Sequence, residues 1–254
     1  MTPTQLVVSM TLSLLMTGQV ATGAEPVERL PIVDRAIAHH GGDNYRSSST
    51  SLELCSKSGC FDIEAEVDGD QFAYEVSGTI RGERRRVRTT NSEVLWWGAD
   101  GESLEVSSGD ESGLRDFVMQ RVYFPFLPYR LNDPSVFKTD LGLESWGDRE
   151  LHKVKVTFTP GSSTDADDEY LYWFDPQSGQ LAQFAYSFAG NPGGLRLRRA
   201  FNFRRIGGML FFDAENLGVD GEDLSIDLID PAFAETMPTV SVVEIRKIRV
   251  RPLS

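Results

Sequence analysis

HKVKVTFT (152–159), EYLYWF (169–174), LAQFAYSF (181–188) and LRLRRAFNFRR (195–205) follow one another between Leu151 and Phe212, and their reading decides the fold. In the first, Val154, Val156 and Phe158 alternate with Lys153, Lys155 and Thr157, the period of a half-buried strand. The second runs into Asp175-Pro-Gln-Ser-Gly179, a turn in which proline presets φ and glycine accepts a positive one. The third puts Phe184, Tyr186 and Phe188 on one face, and the fourth alternates again before Gly207-Gly208 turns the chain into Met209–Phe212. The pattern predicts an antiparallel meander with one wet face and one apolar, aromatic face.

Working toward the N-terminus, short strands recur. Leu52–Leu54 and Phe61–Val67 flank Cys55-Ser-Lys-Ser-Gly-Cys60, which reads as a hairpin tip closed by a Cys55–Cys60 disulfide in an exported protein. Gln71–Ile80, Arg84–Thr90 and Glu93–Gly98 follow, and Asp100-Gly101 joins the last to Glu102–Val106. The basic run Arg81–Arg88 is expected on the solvent face of a strand. Pro26–His40 has helical spacing, with Leu30, Val33, Ile37 and Ala38 as its stripe and Gly41-Gly42 as its stop. Mid-chain, Ser108–Ser112 reads as a polar loop, and Gly113–Tyr123 as a helix with Leu114, Phe117, Val118 and Val122 on one face. An aromatic, proline-punctuated stretch runs from Phe124 to Pro134. Near the C-terminus, Asp227–Ile229 is expected to pair at an edge and Thr239–Val250 to form a long last strand.

Composition bounds the function. The 254 residues carry a net charge of −13, which disfavours a nucleic-acid partner. Residues 1–24 read as a signal peptide, with the apolar run Leu6–Met16 and small residues at Ala21–Ala24, so 25–254 is expected to be a single exported domain, periplasmic or secreted. The run is too short to span a bilayer, and no second apolar stretch predicts a stable membrane span. No GxSxG, HExxH or Ser/His/Asp spacing appears, and no catalytic residue, metal ligand or cofactor is assigned. Glu64 and Glu66 share a strand face and are the nearest thing to a carboxylate pair; in so acidic a chain they read as solvated. His39-His40 point too far apart on a helix to hold one ion, and His152 reads as surface. The acidic loops Asp165–Glu169 and Asp220–Asp223 lack the spacing of a calcium loop and read as solvated turns.

The helix ending in His-Gly-Gly, the long meander, the mid-chain helical segment and the Tyr172–Leu181 turn followed by Arg205-Ile-Gly-Gly208 together resemble the LolA-like superfamily of periplasmic lipoprotein carriers and LppX-like proteins. Within it, the features are most similar to uncharacterised exported proteins. The resemblance implies a mainly β (α+β) fold. It would be a large curved antiparallel sheet, or incomplete β-barrel, with the N-terminal helix and the mid-chain insertion covering its concave face. It also implies an apolar cavity there that accepts acyl chains; the chain itself is expected to be a non-catalytic monomer binding a lipid, acyl chain or other hydrophobic ligand. Carriers of lipoproteins in the superfamily hold a lid with a strand arginine, and no arginine of this chain is matched to that role. The candidate cavity wall is Phe72, Tyr74, Trp96, Phe124, Phe126, Tyr129, Phe158, Tyr172, Phe184 and Tyr186. The alternative is an envelope structural or interaction protein with a filled core and no ligand.

Overall fold

A computed structural model describes residues 29–159, 169–188, 192–222 and 224–253. The first 28 residues, which include the expected signal peptide, and Asp165–Asp168 of the first acidic loop lie outside it, as does Asp223 of the second.

After α1 (Pro31–His40) and the single turn α2 (Gly42–Tyr45) come β1 (Ser47–Ser56), β2 (Gly59–Asp68), β3 (Gln71–Ile80), β4 (Glu83–Thr90), β5 (Val94–Trp97) and β6 (Ser103–Leu104). A helix, α3 (Ser108–Tyr123), and a 3-10 turn at Tyr129–Asn132 lead to β7 (Val136–Trp146). Then follow β8 (Arg149–Phe158), β9 (Tyr170–Phe174), β10 (Leu181–Phe188), β11 (Gly194–Ile206) and β12 (Met209–Asp220). A 3-10 turn at Ile226–Leu228, α4 (Pro231–Thr236) and β13 (Thr239–Pro252) close the chain. The strands of the described residues form one open antiparallel sheet of 13, ordered β6-β5-β4-β3-β2-β1-β13-β12-β11-β10-β9-β8-β7.

That order dictates where the helix goes. Two meanders grow outward from the central β1–β13 pairing, so β6 and β7, consecutive along the chain, sit at opposite edges. The segment between them has to cross the whole sheet, and it carries α3 over the inner face against β3, β4 and β5. Leu114, Val118 and Val122 are buried there beside Ile63, Tyr74, Val87, Phe126, Val154 and Phe211. Ser108–Ser112 is part of this helix rather than a loop: the Ser107 side chain accepts the N–H of Asp110, and Asp110 and Glu111 lie in the first turn, where the dipole favours them.

Three sequence features far apart in the chain meet where α1 docks. Gly41 stands at φ 95°, and a Cβ there would lie 2.2 Å from the carbonyl oxygen of Gly208. A Cβ on Gly179, in the Asp175–Gly179 turn, would lie 2.7 Å from the backbone nitrogen of Ala36. The helix therefore seats itself through glycine contacts, with small Ala36 at the point of approach. The buried side is broader than the expected stripe: Leu30 and Val33 are buried and Ile37 packs against the core as expected, Ile32, Ala36 and His40 are buried as well, and Ala38 is exposed. His40 is completely buried; its Nε2 accepts the N–H of Leu181 at 3.1 Å, and its carbonyl accepts the Tyr129 hydroxyl at 2.5 Å. Arg205 donates to the carbonyls of His39 and Gly208.

The meander departs from the expectation of one wet face. A second apolar cluster lies on the outer side of β8–β12, formed by Leu171, Trp173, Ala185, Leu195, Leu197 and Leu217 under Ile226, Ile229, Ala234 and Met237. The stretch expected to pair at an edge, 227–229, instead starts in a 3-10 turn that lays Ile226 and Ile229 on this patch, followed by α4 with its Asp230 cap. Strands buried on both faces lose clean alternation, as Tyr170–Phe174 shows. Lys153 and Lys155 rim the patch, paired with Glu144 and with Glu169 and Asp227. Glu144 also accepts the indole N–H groups of Trp146 and Trp173, so the buried Trp173 keeps a partner.

Candidate functional site

Between α3, the loop after it and the β7–β11 end of the inner face lies a cleft of about 620 Å³. The strands supply rings. Tyr172 and Phe174 are fully buried and stack 6.1 Å apart; Phe184 stacks on Tyr172 at 5.8 Å, and Tyr186 on Tyr170 at 5.6 Å. Phe158 meets Tyr170 edge-on at 5.5 Å. The array thus runs from the packed core out to half-buried rings that face open space. The helix side supplies Met119, Tyr123, Phe124 and Leu127, and Phe72 closes the cleft from β3.

Of the ten candidate wall residues, five border this cleft: Phe72, Phe124, Phe158, Phe184 and Tyr186. Tyr74, Phe126, Tyr129 and Tyr172 are buried behind it in the core. There Tyr45 bonds the Tyr74 hydroxyl at 2.6 Å and stacks on Tyr129 at 4.5 Å. Trp96 is buried near the β6 edge, with Arg81 and Arg85 over its ring at 5.4 and 4.8 Å.

The polar groups of the cleft are those that sequence patterning does not reveal. Arg130 reaches Asp133 at 2.7 Å and lies over Phe72 and Tyr74. Burial works to lower its pKa, but Asp133 and the neighbouring tyrosines outweigh that, so it is raised and Arg130 stays charged. Arg115 is bound by Thr89 and Thr90 on β4 at 2.8 and 2.7 Å. Burial pushes the Tyr123 phenol up to about 12, keeping it neutral. Arg198, on β11 directly opposite Phe184, packs its guanidinium 5.0 Å from the Phe124 ring, 5.7 Å from Phe184 and 5.4 Å from Tyr186. The alternation of Leu195, Arg196, Leu197 and Arg198 was visible. Its direction was not, because the leucines face the outer cluster and the arginines the inner side.

The remaining candidates lie elsewhere. Glu64 and Glu66 are exposed on the outer face, in a shallow groove with Glu75, Arg88, Arg249 and Arg251, and Arg88 approaches Glu66 at 3.8 Å. The basic strand pairs across that face, Arg84 with Asp62 and Arg86 with Glu75. His152 is held by Asp140 at 2.7 Å rather than standing alone. Asp220 is bound by Arg196. Cys55 and Cys60 form the disulfide at the β1–β2 tip. Among the described residues, Glu53, Cys55 and Cys60 make the one cluster of metal-ligand type, and both of its sulfurs are in that bond.

The open antiparallel sheet with its covering helices is shared with solved structures. A LolA superfamily protein from Nitrosomonas europaea matches with a TM-score of 0.50 at 13% identity, over 88% of this chain and 93% of that one. A DUF1329 family protein from Desulfovibrio piger matches with a TM-score of 0.50 at 12% identity, over 89% and 93%. At the level of sequence, residues 32–227 match the model of the "Family of unknown function (DUF6503)", and the chain belongs to that family. No curated protein matches the chain.

Proposed function

We propose that this protein is an exported, non-catalytic carrier or binder that takes a lipid or other hydrophobic ligand in the cleft between α3 and the inner face of the sheet. The observation that carries the reading is the cleft itself. It has about 620 Å³ of space, within the usual range of small-molecule sites, walled by half-buried aromatic rings that the protein's own helices leave uncovered. An acyl chain burying about ten methylenes there gains about 8 kcal/mol from removal of apolar surface, set against the cost of ordering the chain and fixing it in the cleft. The fold shared with a LolA superfamily protein supports the same reading. So does the leader-like start of the chain, with the 25–254 remainder as one domain. Among the described residues no helix is long and apolar enough to cross a membrane.

Native mass spectrometry and solvent extraction of the purified protein test this. Stoichiometric acyl species are expected, together with saturable binding of a neutral hydrophobic dye that Phe158→Asp, which places a charge on the half-buried wall, weakens. A ligand-free protein that binds no dye would leave the filled-core envelope protein as the better account.

A further inference from the structure

We infer that the ligand of this cleft is an amphiphile with an anionic headgroup, seated on Arg198. The inference rests on the carrier reading and adds the chemistry of the polar end. Three arginines border the cleft. Arg130 is neutralised by Asp133, and Arg115 is held by Thr89 and Thr90 with Glu111 at 3.5 Å. Arg198 differs. Its protein partners are the Tyr186 hydroxyl at 3.1 Å and the faces of three aromatic rings, and no described carboxylate pairs with it. Ring faces hold a guanidinium in place without neutralising it or filling its donors. The neighbouring inward residue on the same strand, Arg196, shows the contrast, because it has Asp220 at 2.7 Å.

A cation kept in a fixed pose beside an apolar cleft, with planar donors unspent, matches a carboxylate or phosphate at the end of an acyl chain. The rings around it would take the first methylenes. Asp116 on α3 also borders the cleft, with Oδ2 buried and unpartnered. It opposes an anion, so the two residues carry opposite signs in the test.

Displacement of a neutral fluorescent probe from the full-length mature protein by oleate, oleyl phosphate and methyl oleate reads the inference. Both anions are expected to displace at roughly ten- to a hundredfold lower concentration than the ester, the scale of a charge-assisted hydrogen bond. Whichever anion binds tighter names the headgroup. Arg198→Met is expected to remove the preference while methyl oleate still binds, Arg198→Lys to restore part of it, and Asp116→Asn to widen it. Equal displacement by acid and ester in the wild type would overturn the anionic assignment, and a preference that survives in Arg198→Met would overturn the seat on Arg198; both leave the carrier reading standing. Failure of the probe and all three acyl compounds to bind would instead remove the carrier reading itself.

Discussion

Acidification should destabilise this protein through one residue, His40. The imidazole is completely buried at the end of α1, and its Nε2 must be unprotonated to accept the N–H of Leu181. Burial, then the nearby His39 and Arg205, lower its pKa to about 3. In the unfolded chain a histidine titrates near about 6.5. Between these values the unfolded state holds a proton that the folded state lacks, so stability is complete above about pH 6.5 and falls as the pH drops toward 3. The slope is about 1.4 kcal/mol per pH unit, or about 3 kcal/mol from pH 6.5 to 4.5, a large share of a typical domain's stability. His40→Gln keeps a neutral acceptor for Leu181 at every pH. Urea unfolding of both proteins at pH 7.5, 5.5 and 4.5 measures the effect. The wild type should lose about 3 kcal/mol more than the variant. Asp34 and Asp175, whose native pKa values are lowered, lose their stabilisation only as the pH falls below the usual carboxylate range, and do so in both proteins. Parallel stability curves for wild type and variant would refute the argument.

Further outcomes follow from the packing. Gly41→Ala combines a left-handed φ with a Cβ 2.2 Å from a backbone oxygen, so α1 must shift; a loss of about 3 kcal/mol or more in thermal or chemical unfolding is expected. Ile229→Ala, in the outer cluster, is expected to cost about 2–4 kcal/mol in urea unfolding although it lies in a stretch expected to pair at a sheet edge. The Cys55–Cys60 bond closes so short a loop that its reduction, or Cys55→Ser with Cys60→Ser, should cost only about 2 kcal/mol, seen as a shifted denaturation midpoint with the far-UV spectrum retained.

Much of the architecture was legible one strand at a time. Gln71–Ile80 and Leu181–Phe188 are strands with the boundaries their alternation indicates, and the helix ending at Tyr123 buries Leu114, Val118 and Val122 as its spacing requires. β7 was not legible, since its polarity is inverted: Phe137, Leu141 and Leu143 are exposed at the sheet edge, whereas Lys138 is buried and donates to the carbonyl of Leu131. The cleft was half legible. Aromatic residues announce a wall, yet Tyr172 and Tyr129 ended in the core, while Tyr170, two residues from Tyr172 on β9, and Phe188 at the end of β10 border open space.

Local sequence therefore determined the period of each strand, the glycine-bearing turns, the α1 stop and the disulfide hairpin, because each depends on backbone sterics and on neighbours a few residues away. Only the tertiary structure decided which face of each strand is inside. That choice depends on what covers the sheet: the 105–135 segment drawn across one side by strand order, and the 224–237 segment laid on the other. The same covering turned the leucines of β11 outward and left Arg198 facing the cleft, a placement that alternation alone states equally well in either direction.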